Sequence, residues 1–449
     1  MMRWFGLVLV TVFIASAAQG QDNSPYSRYG IGDMIPNQNI VNRAMGGITA
    51  GYSDKLSINF SNPATYGNLS YLSPEYVRNF SRSTIFDIAS EIDTRTLKNN
   101  TGTGKYTNAN PYMSYVQLGV PIKLKKANAK GFFMGAAFGL RPVSRIGYKI
   151  FKVERQPGID SMASFYEGSG ALNEANIGWG IRYKGLSLGA NAGYRFGNKE
   201  YSTQIIFLND TVNYYESTSS TKSNFGGMVF TGGLQYELIL PNKATFRIGG
   251  YGTFKKNLNA TNTILRQTST TSSEGDVSRI DSVYEKNSDG SITLPSHWSV
   301  GFTYQDSSNN WLFGVDYEKT QWSQYRFNGL TDNVVDNWRI RAGAEYLPAK
   351  PNTPLKKYFS HVRYRAGFYY GPNYVNTGVV LNEFAVTFGA AFPLKLRRSY
   401  YEQFQSSYLN VGFEMGSRNN KDASLKESFF RISLGLSLSD LWFNRSKYY

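Results

Sequence analysis

The chain contains no cysteine. Disulfides, thiolate metal sites and a lipid anchor on a processed N-terminal cysteine are therefore excluded. Histidine is nearly as scarce. His297 and His361 are the only two, and they stand on separate segments, so a histidine-based metal cluster is not expected. After residue 20 no apolar run reaches the ~20 residues of a membrane helix, and the mean hydropathy is −0.38. Acid is short against base, 32 residues to 48, for a formal charge of +16. The basic residues are spread along the chain and no nucleic-acid motif accompanies them, so attraction to anionic headgroups of a membrane is the simpler reading. No motif marks a nucleophile. The expectation is a protein that is not an enzyme, holds no metal or cofactor, and has no nucleic-acid partner.

What is plentiful is aromatic residues and glycine: 33 Tyr, 29 Phe and 44 Gly. Aromatic girdles at a membrane surface are one account of so many rings in so polar a chain. The N-terminus reads as a signal peptide. Arg3 supplies the positive start, Trp4 to Ala15 the short apolar core, and Ala18-Gln19-Gly20 the small residues at the cleavage site. Residues 1–20 are thus set aside from the fold.

The stretch that organises the rest is Phe430 to Leu438. Phe430, Ile432, Leu434, Leu436 and Leu438 fall on one side, and Arg431, Ser433, Gly435 and Ser437 on the other. This strict period of two describes a strand with one greasy and one wet face. The pattern recurs from residue 69 onward. Tyr112, Val116, Leu118 and Val120 form one greasy edge; Ile177 to Tyr183, Leu186 to Phe196, Trp298 to Tyr304 and Trp338 to Tyr346 form others. The first strand is placed from Tyr71 to about Leu97, with a kink at Pro74. Short turns at 121–130, 184–185, 241–243, 305–310, 348–357 and 393–405 alternate with mostly longer connections at 97–110, 141–170, 197–224, 256–295, 320–336, 371–381 and 417–427. Six inner turns and seven outer loops join fourteen strands, with short connections on one side and long on the other, as in outer-membrane barrels. The fold class expected is all-β, a 14-stranded antiparallel transmembrane β-barrel. Residues 21–68, polar and without sustained period, are expected to form short turns and helical pieces as a plug in the lumen. Residues 69–439 form the barrel and 440–449 a periplasmic tail. Both termini are expected on the inner, periplasmic side of the outer membrane of a Gram-negative bacterium.

Arg43-Ala-Met-Gly-Gly-Ile-Thr-Ala-Gly51, running on to Asn62-Pro63-Ala64, resembles the plug of the FadL/TodX-type outer-membrane transporters of long-chain fatty acids and hydrophobic compounds. Leu294 to Gly301, Gly314 to Trp322 and Asn337 to Tyr346 resemble later strands of that family. The resemblance implies a fourteen-stranded plugged barrel that passes a hydrophobic small-molecule ligand, sometimes sideways into outer-membrane lipid. It also extends to a divergent branch that includes accessory barrels of secretion and outer-membrane assembly machines, where the partner is a larger outer-membrane complex. The tail Asp440 to Tyr449 departs from the pattern, since the chain does not stop at a terminal aromatic after the last strand.

Three candidate sites follow. Asn62, Pro63 and Ala64, with Gly46 and Gly47, are either a moving part of the plug or a turn leading into the first strand. Arg182, Arg195, Arg339, Arg341, Arg363, Arg365 and Arg431 share the wet face. They would either bind a carboxylate headgroup or pair with Asp33 and Asp54 of the plug and with Glu345 and Glu383 of the wall. The Ser/Thr-rich stretch Lys256 to Pro295 would cap an entrance, contact a partner, or be a solvated loop.

Overall fold

The computed structural model describes residues 24–70, 84–99, 104–122, 130–155, 161–208, 214–271, 277–349, 357–394 and 407–440. The leader over 1–20, the Tyr71 to Pro74 start of the first strand and the tail beyond Asp440 lie outside the described residues.

Fourteen long strands form the wall: β1 (Thr84–Asn99), β2 (Lys105–Ile122), β3 (Phe132–Arg155), β4 (Ser161–Tyr183), β5 (Leu186–Leu208), β6 (Glu216–Ile239), β7 (Thr245–Thr253), β8 (His297–Gln305), β9 (Trp311–Thr320), β10 (Asn337–Tyr346), β11 (Arg363–Asn376), β12 (Val380–Pro393), β13 (Tyr408–Asn419) and β14 (Leu425–Asp440). Each pairs antiparallel with the next. β14 pairs back onto β1, with Asp440 opposite Thr84 and Arg431 opposite Asp93. Closure satisfies the ladder hydrogen bonds that an open edge would leave bare in lipid. On β14, Phe430, Leu434 and Leu438 are exposed to the outside while Arg431, Ser433 and Ser437 are buried inside. The same alternation turns Trp179, Phe302, Ile340 and Phe388 outward. Lipid rather than protein covers that face, so it can be apolar without a second layer.

The strands are longer than the periodicity indicates. β3 and β6 have 24 residues, β4 and β5 have 23, about twice the ~9–11 that cross a membrane. Within the stretches read as loops at 141–170 and 197–224, the strands continue as ladder, from Arg141 opposite Glu174 to Arg155 opposite Ser161 and from Gly197 opposite Phe225 to Ile205 opposite Ser217. The Lys256 to Pro295 connection is a hairpin, Lys256–Thr271 against Val277–Leu294, whose first arm pairs with β6 from Glu216 to Gly226. Beyond the membrane both faces meet water, so neither must be apolar. Backbone pairing with Ser, Thr and Ile side chains then sustains a strand that carries no period of two.

A bulge corrects one more expectation. Ser114 is an extra residue between Met113 and Tyr115, where β2 pairs with Ala89 and Ser90 of β1. It reverses which face each neighbour takes. Tyr112, read as outward with Val116, turns inward and donates to Glu91 at 2.6 Å, and Met113 is exposed instead.

Residues 24–70 run through the lumen as coil, a 3-10 turn at Pro25–Arg28, a two-residue strand Asp33–Met34 paired with Ser144 and Arg145 of β3, a helical turn at Ile40–Arg43 and a 3-10 stretch at Pro63–Ser70. The Ser24 N–H donates to the Gly147 carbonyl at 3.1 Å, and the Tyr26 hydroxyl to the Leu425 carbonyl at 2.7 Å. Both partners lie at the end with the long connections. At the other end Asn68 accepts from Arg182 at 2.7 Å, beside the Lys184-Gly185 turn. Ser24 and the end of β14 at Asp440 therefore sit at opposite ends of the barrel. Strand counting misses this because the extra passage is made almost entirely without strand, the two residues Asp33–Met34 excepted. The absence of cysteine allows a clean test. A Cys replacing exposed Arg28 will react on intact cells with a maleimide too large for porins, and Ser307→Cys, in the β8–β9 turn, only after the outer membrane is opened. Labelling of neither site on intact cells, or of Ser307→Cys alone, would refute the topology.

Candidate functional site

The lumen wall is built to receive a backbone. Gly135, Gly180, Gly189 and Gly233 stand opposite one another across β3 to β6. Gly314, Gly343 and Gly367 do the same across β9 to β11. A Cβ on Gly189 would collide with the Pro63 carbonyl, and one on Gly343 with the Met45 carbonyl. These two glycines let the N-terminal segment lie main chain to main chain on the wall. The sequence reading noted the glycines only as a wet face. Their cross-strand alignment is the signal it lacked.

Gly46 and Gly47 have φ of +67° and +86°, a left-handed bend that glycine alone adopts without strain. The bend is pinned. Gly46 N–H donates to the Thr387 hydroxyl at 2.8 Å, and Arg341 donates to the Gly46 carbonyl at 3.0 Å. Asn62 donates to the Ala50 carbonyl at 2.8 Å, and its side-chain oxygen accepts from the Ala64 N–H at 3.2 Å. Pro63 then opens the 3-10 stretch toward the inner end. Thr49 and Ala50 N–H groups both donate to Asp316 on β9, at 2.5 and 2.8 Å.

Charge completes the packing. Arg43, on the Ile40–Arg43 turn, bridges Glu91 of β1 and Glu414 of β13. Burial opposes its charge, and these two carboxylates supply the compensating charge. Glu414 also pairs with Arg431 at 2.5 Å, which reaches Asp93 at 3.2 Å. Arg95 joins Asp93, Glu427 and Asp33 at 2.7–2.9 Å. Asp33 meets Arg418 at 2.9 Å, Arg418 meets Glu383 at 3.5 Å, and Arg339 bridges Glu383 and Glu318. Arg341 ends the chain on Glu318 at 2.8 Å. Across the lumen Arg141 and Arg195 share Glu174 at 2.9 and 2.7 Å. These are eight arginines against eight carboxylates. An entering carboxylate would find each guanidinium already engaged.

Nearer the short turns Arg182 and Arg247 share Glu237, and Arg363 and Arg365 share Glu345 at 3.1 and 2.7 Å. Asp33 therefore pairs with Arg95 and Arg418, neither of which the alternation had singled out. Asp54 instead accepts from the N–H groups of Lys55 and Leu56 at 2.7 and 3.2 Å, since it sits in its own tight turn. The wall carboxylates Glu91, Asp93, Glu174, Glu237, Glu318, Glu414 and Glu427 were missed. Period two could have found them, because Glu91, Asp93 and Arg95 occupy successive inward positions of β1. Between the large cluster and the Glu174 group lies a cavity of about 180 Å3, lined by Asn37, Arg43, Glu174, Arg195, Glu318 and Arg339 among others.

A family model described as BamG matches residues 1–449. No curated protein matches the chain. Among solved structures, the toluene transporter TodX of Pseudomonas putida is similar at 17% identity, over 92% of this chain and 100% of that one, with a TM-score of 0.57. A Pseudomonas aeruginosa FadL homologue shares 11% identity over 91% and 99%, TM-score 0.56. The monoaromatic hydrocarbon channel CymD shares 13% over 91% and 99%, TM-score 0.53. At such identities the likeness is one of fold. A closed fourteen-stranded barrel with a lipid-facing surface, matched end to end by one family model, the chain belongs to the BamG family.

Proposed function

We propose that the protein is a non-transporting accessory barrel of an outer-membrane assembly or secretion complex, with its short turns in the periplasm. The observation that carries this is the filled lumen. The N-terminal segment lies on glycine rows, the arginines are matched by carboxylates, and the interior cavity of about 180 Å3 is small and carries charged groups on its wall. Sites for small apolar ligands run to ~300–1,000 Å3 and are mostly apolar. In this reading residues 24–70 are a fixed plug. Gly46, Gly47, Asn62, Pro63 and Ala64 shape it, and Arg182, Arg195, Arg339, Arg341, Arg363, Arg365, Arg431 and Glu345 hold the surrounding wall. The barrel's outward surface and long strand extensions are then its working parts. The family description, BamG, supports the same reading.

The other reading is uptake of hydrophobic small molecules such as long-chain fatty acids. It draws on the shared fold with proteins named as toluene transporter and hydrocarbon channel. One experiment separates the two. Gentle detergent extraction of the tagged protein will bring down a larger outer-membrane partner in constant ratio, and a deletion strain will take up labelled oleate at the parental rate. A lone monomer together with lost uptake would reverse the conclusion.

A further inference from the structure

The tall side of the barrel carries a second hollow, on its outward surface and apart from the lumen. Strands β5 and β6 and the two arms of the 256–294 hairpin form an open cleft of about 910 Å3. That lies at the upper end of the ~300–1,000 Å3 typical of ligand sites. Its floor is Tyr194 and Phe196, stacked with ring centroids 6.3 Å apart and planes 20° apart. Both rings continue the outward apolar belt of β5.

Above them the composition changes at once. Register sets Asn198 beside Asn224, Asn224 beside Thr261, Gly226 beside Asn259, and Asp289 beside Thr261. Their chain neighbours Lys199, Ser223, Phe225, Leu258 and Ala260 are buried on the other face, so these polar side chains all point outward together. Gly226 leaves the hollow open: a Cβ there would meet the Tyr194 hydroxyl at 2.7 Å. Among the described residues the carboxamides of Asn198, Asn224 and Asn259 make no hydrogen bond within the protein, and neither does the Tyr194 hydroxyl. No Lys or Arg lines the cleft, and Asp289 is its one charged residue.

This chemistry selects an uncharged, hydroxyl-rich ligand. Flat rings pack against the C–H face of a pyranose, and carboxamides offer a donor and an acceptor to adjacent hydroxyls. A phosphate would meet Asp289 and no cation to pair with. The place selects further, since the cleft opens where outward aromatics give way to polar side chains, the level of the headgroups. We propose that this cleft binds the sugar headgroup of a neutral glycolipid in the leaflet on the side of the long connections. The site does not depend on whether the barrel is an accessory subunit or a channel.

The test uses the full chain in nanodiscs of phosphatidylcholine with a minor fraction of digalactosyl diacylglycerol. Native mass spectrometry counts the lipids that stay bound. The glycolipid will be enriched over its bulk fraction, roughly tenfold more in the unaltered chain than in Tyr194→Ala/Asn224→Ala. Asn259→Ala/Asp289→Ala will reduce it as well, with heat-modifiable gel mobility checking that both variants remain folded barrels. Free digalactosyl glycerol will compete. Equal retention by wild type and both folded variants would overturn the site. Preferential retention of phosphatidylglycerol in parallel nanodiscs would overturn the neutral-sugar assignment. Undiminished glycolipid retention at saturating free sugar would show that the acyl chains, not the headgroup, are read.

Discussion

Excising residues 24–70 will convert a closed barrel into a conducting one. Eight-stranded barrels fill their interior with side chains, while barrels of 16–18 strands leave an aqueous channel. Fourteen strands stand near the larger class, and here the wall is thinned further by the glycine rows at Gly180, Gly189 and Gly343. In the proposed reading the N-terminal segment is what blocks the lumen. In planar bilayers the excised protein will show stepwise conductance, roughly tenfold or more above the leak of the intact protein. A point variant reaches the same end without deletion. Gly343→Leu with Gly367→Leu places side chains where the Met45 and Gly46 main chain lies. Each costs about 1–3 kcal/mol of overpacking, which moves the segment more readily than the hydrogen-bonded wall. If the excised barrel keeps its heat-modifiable mobility and stays silent, the segment is not the seal.

Arg43→Ala will be the most destabilising single truncation in the lumen. It removes the cation shared by Glu91 and Glu414, both buried. Glu414 keeps Arg431 at 2.5 Å and the Tyr369 hydroxyl at 2.8 Å. Glu91 keeps the Tyr112 and Ser433 hydroxyls at 2.6 and 3.2 Å, but its next guanidinium is Arg431 at 3.7 Å. Stranding a buried carboxylate in this way costs about 3–5 kcal/mol. Urea unfolding in detergent micelles will show the loss, and protease will reach the N-terminal segment at lower urea than in the parent. Neutralising the stranded partner as well, as Arg43→Met with Glu91→Gln, will recover most of it, because Glu414 keeps Arg431 and a neutral group at 91 needs no partner charge. Arg28→Ala at the exposed outer end will stay within about 0.5 kcal/mol. Equal losses for Arg43→Ala and Arg28→Ala would mean that the ion pairs do not hold the segment.

The sequence alone determined the wall. Lipid on one side and a polar lumen on the other impose a period of two on neighbouring residues, so strands such as Phe430 to Leu438 and Trp338 to Tyr346 are legible without knowing their partners. The alternation of short and long connections then settled number and closure. That residues 21–68 enter the lumen was expected from the sequence; only the tertiary structure decided how they pack there and what rises above the wall. The coil from Ser24 to Ser70 has no period, because it packs main chain on glycine and not one face on a core. Arg43 finds Glu414 across 371 positions, a pairing that closure creates and that no local pattern records. Outside the membrane the demand for an apolar face ends, so the polar extensions at 141–155, 161–170, 197–208 and 216–224 read as loops although they carry on as strands in the ladder.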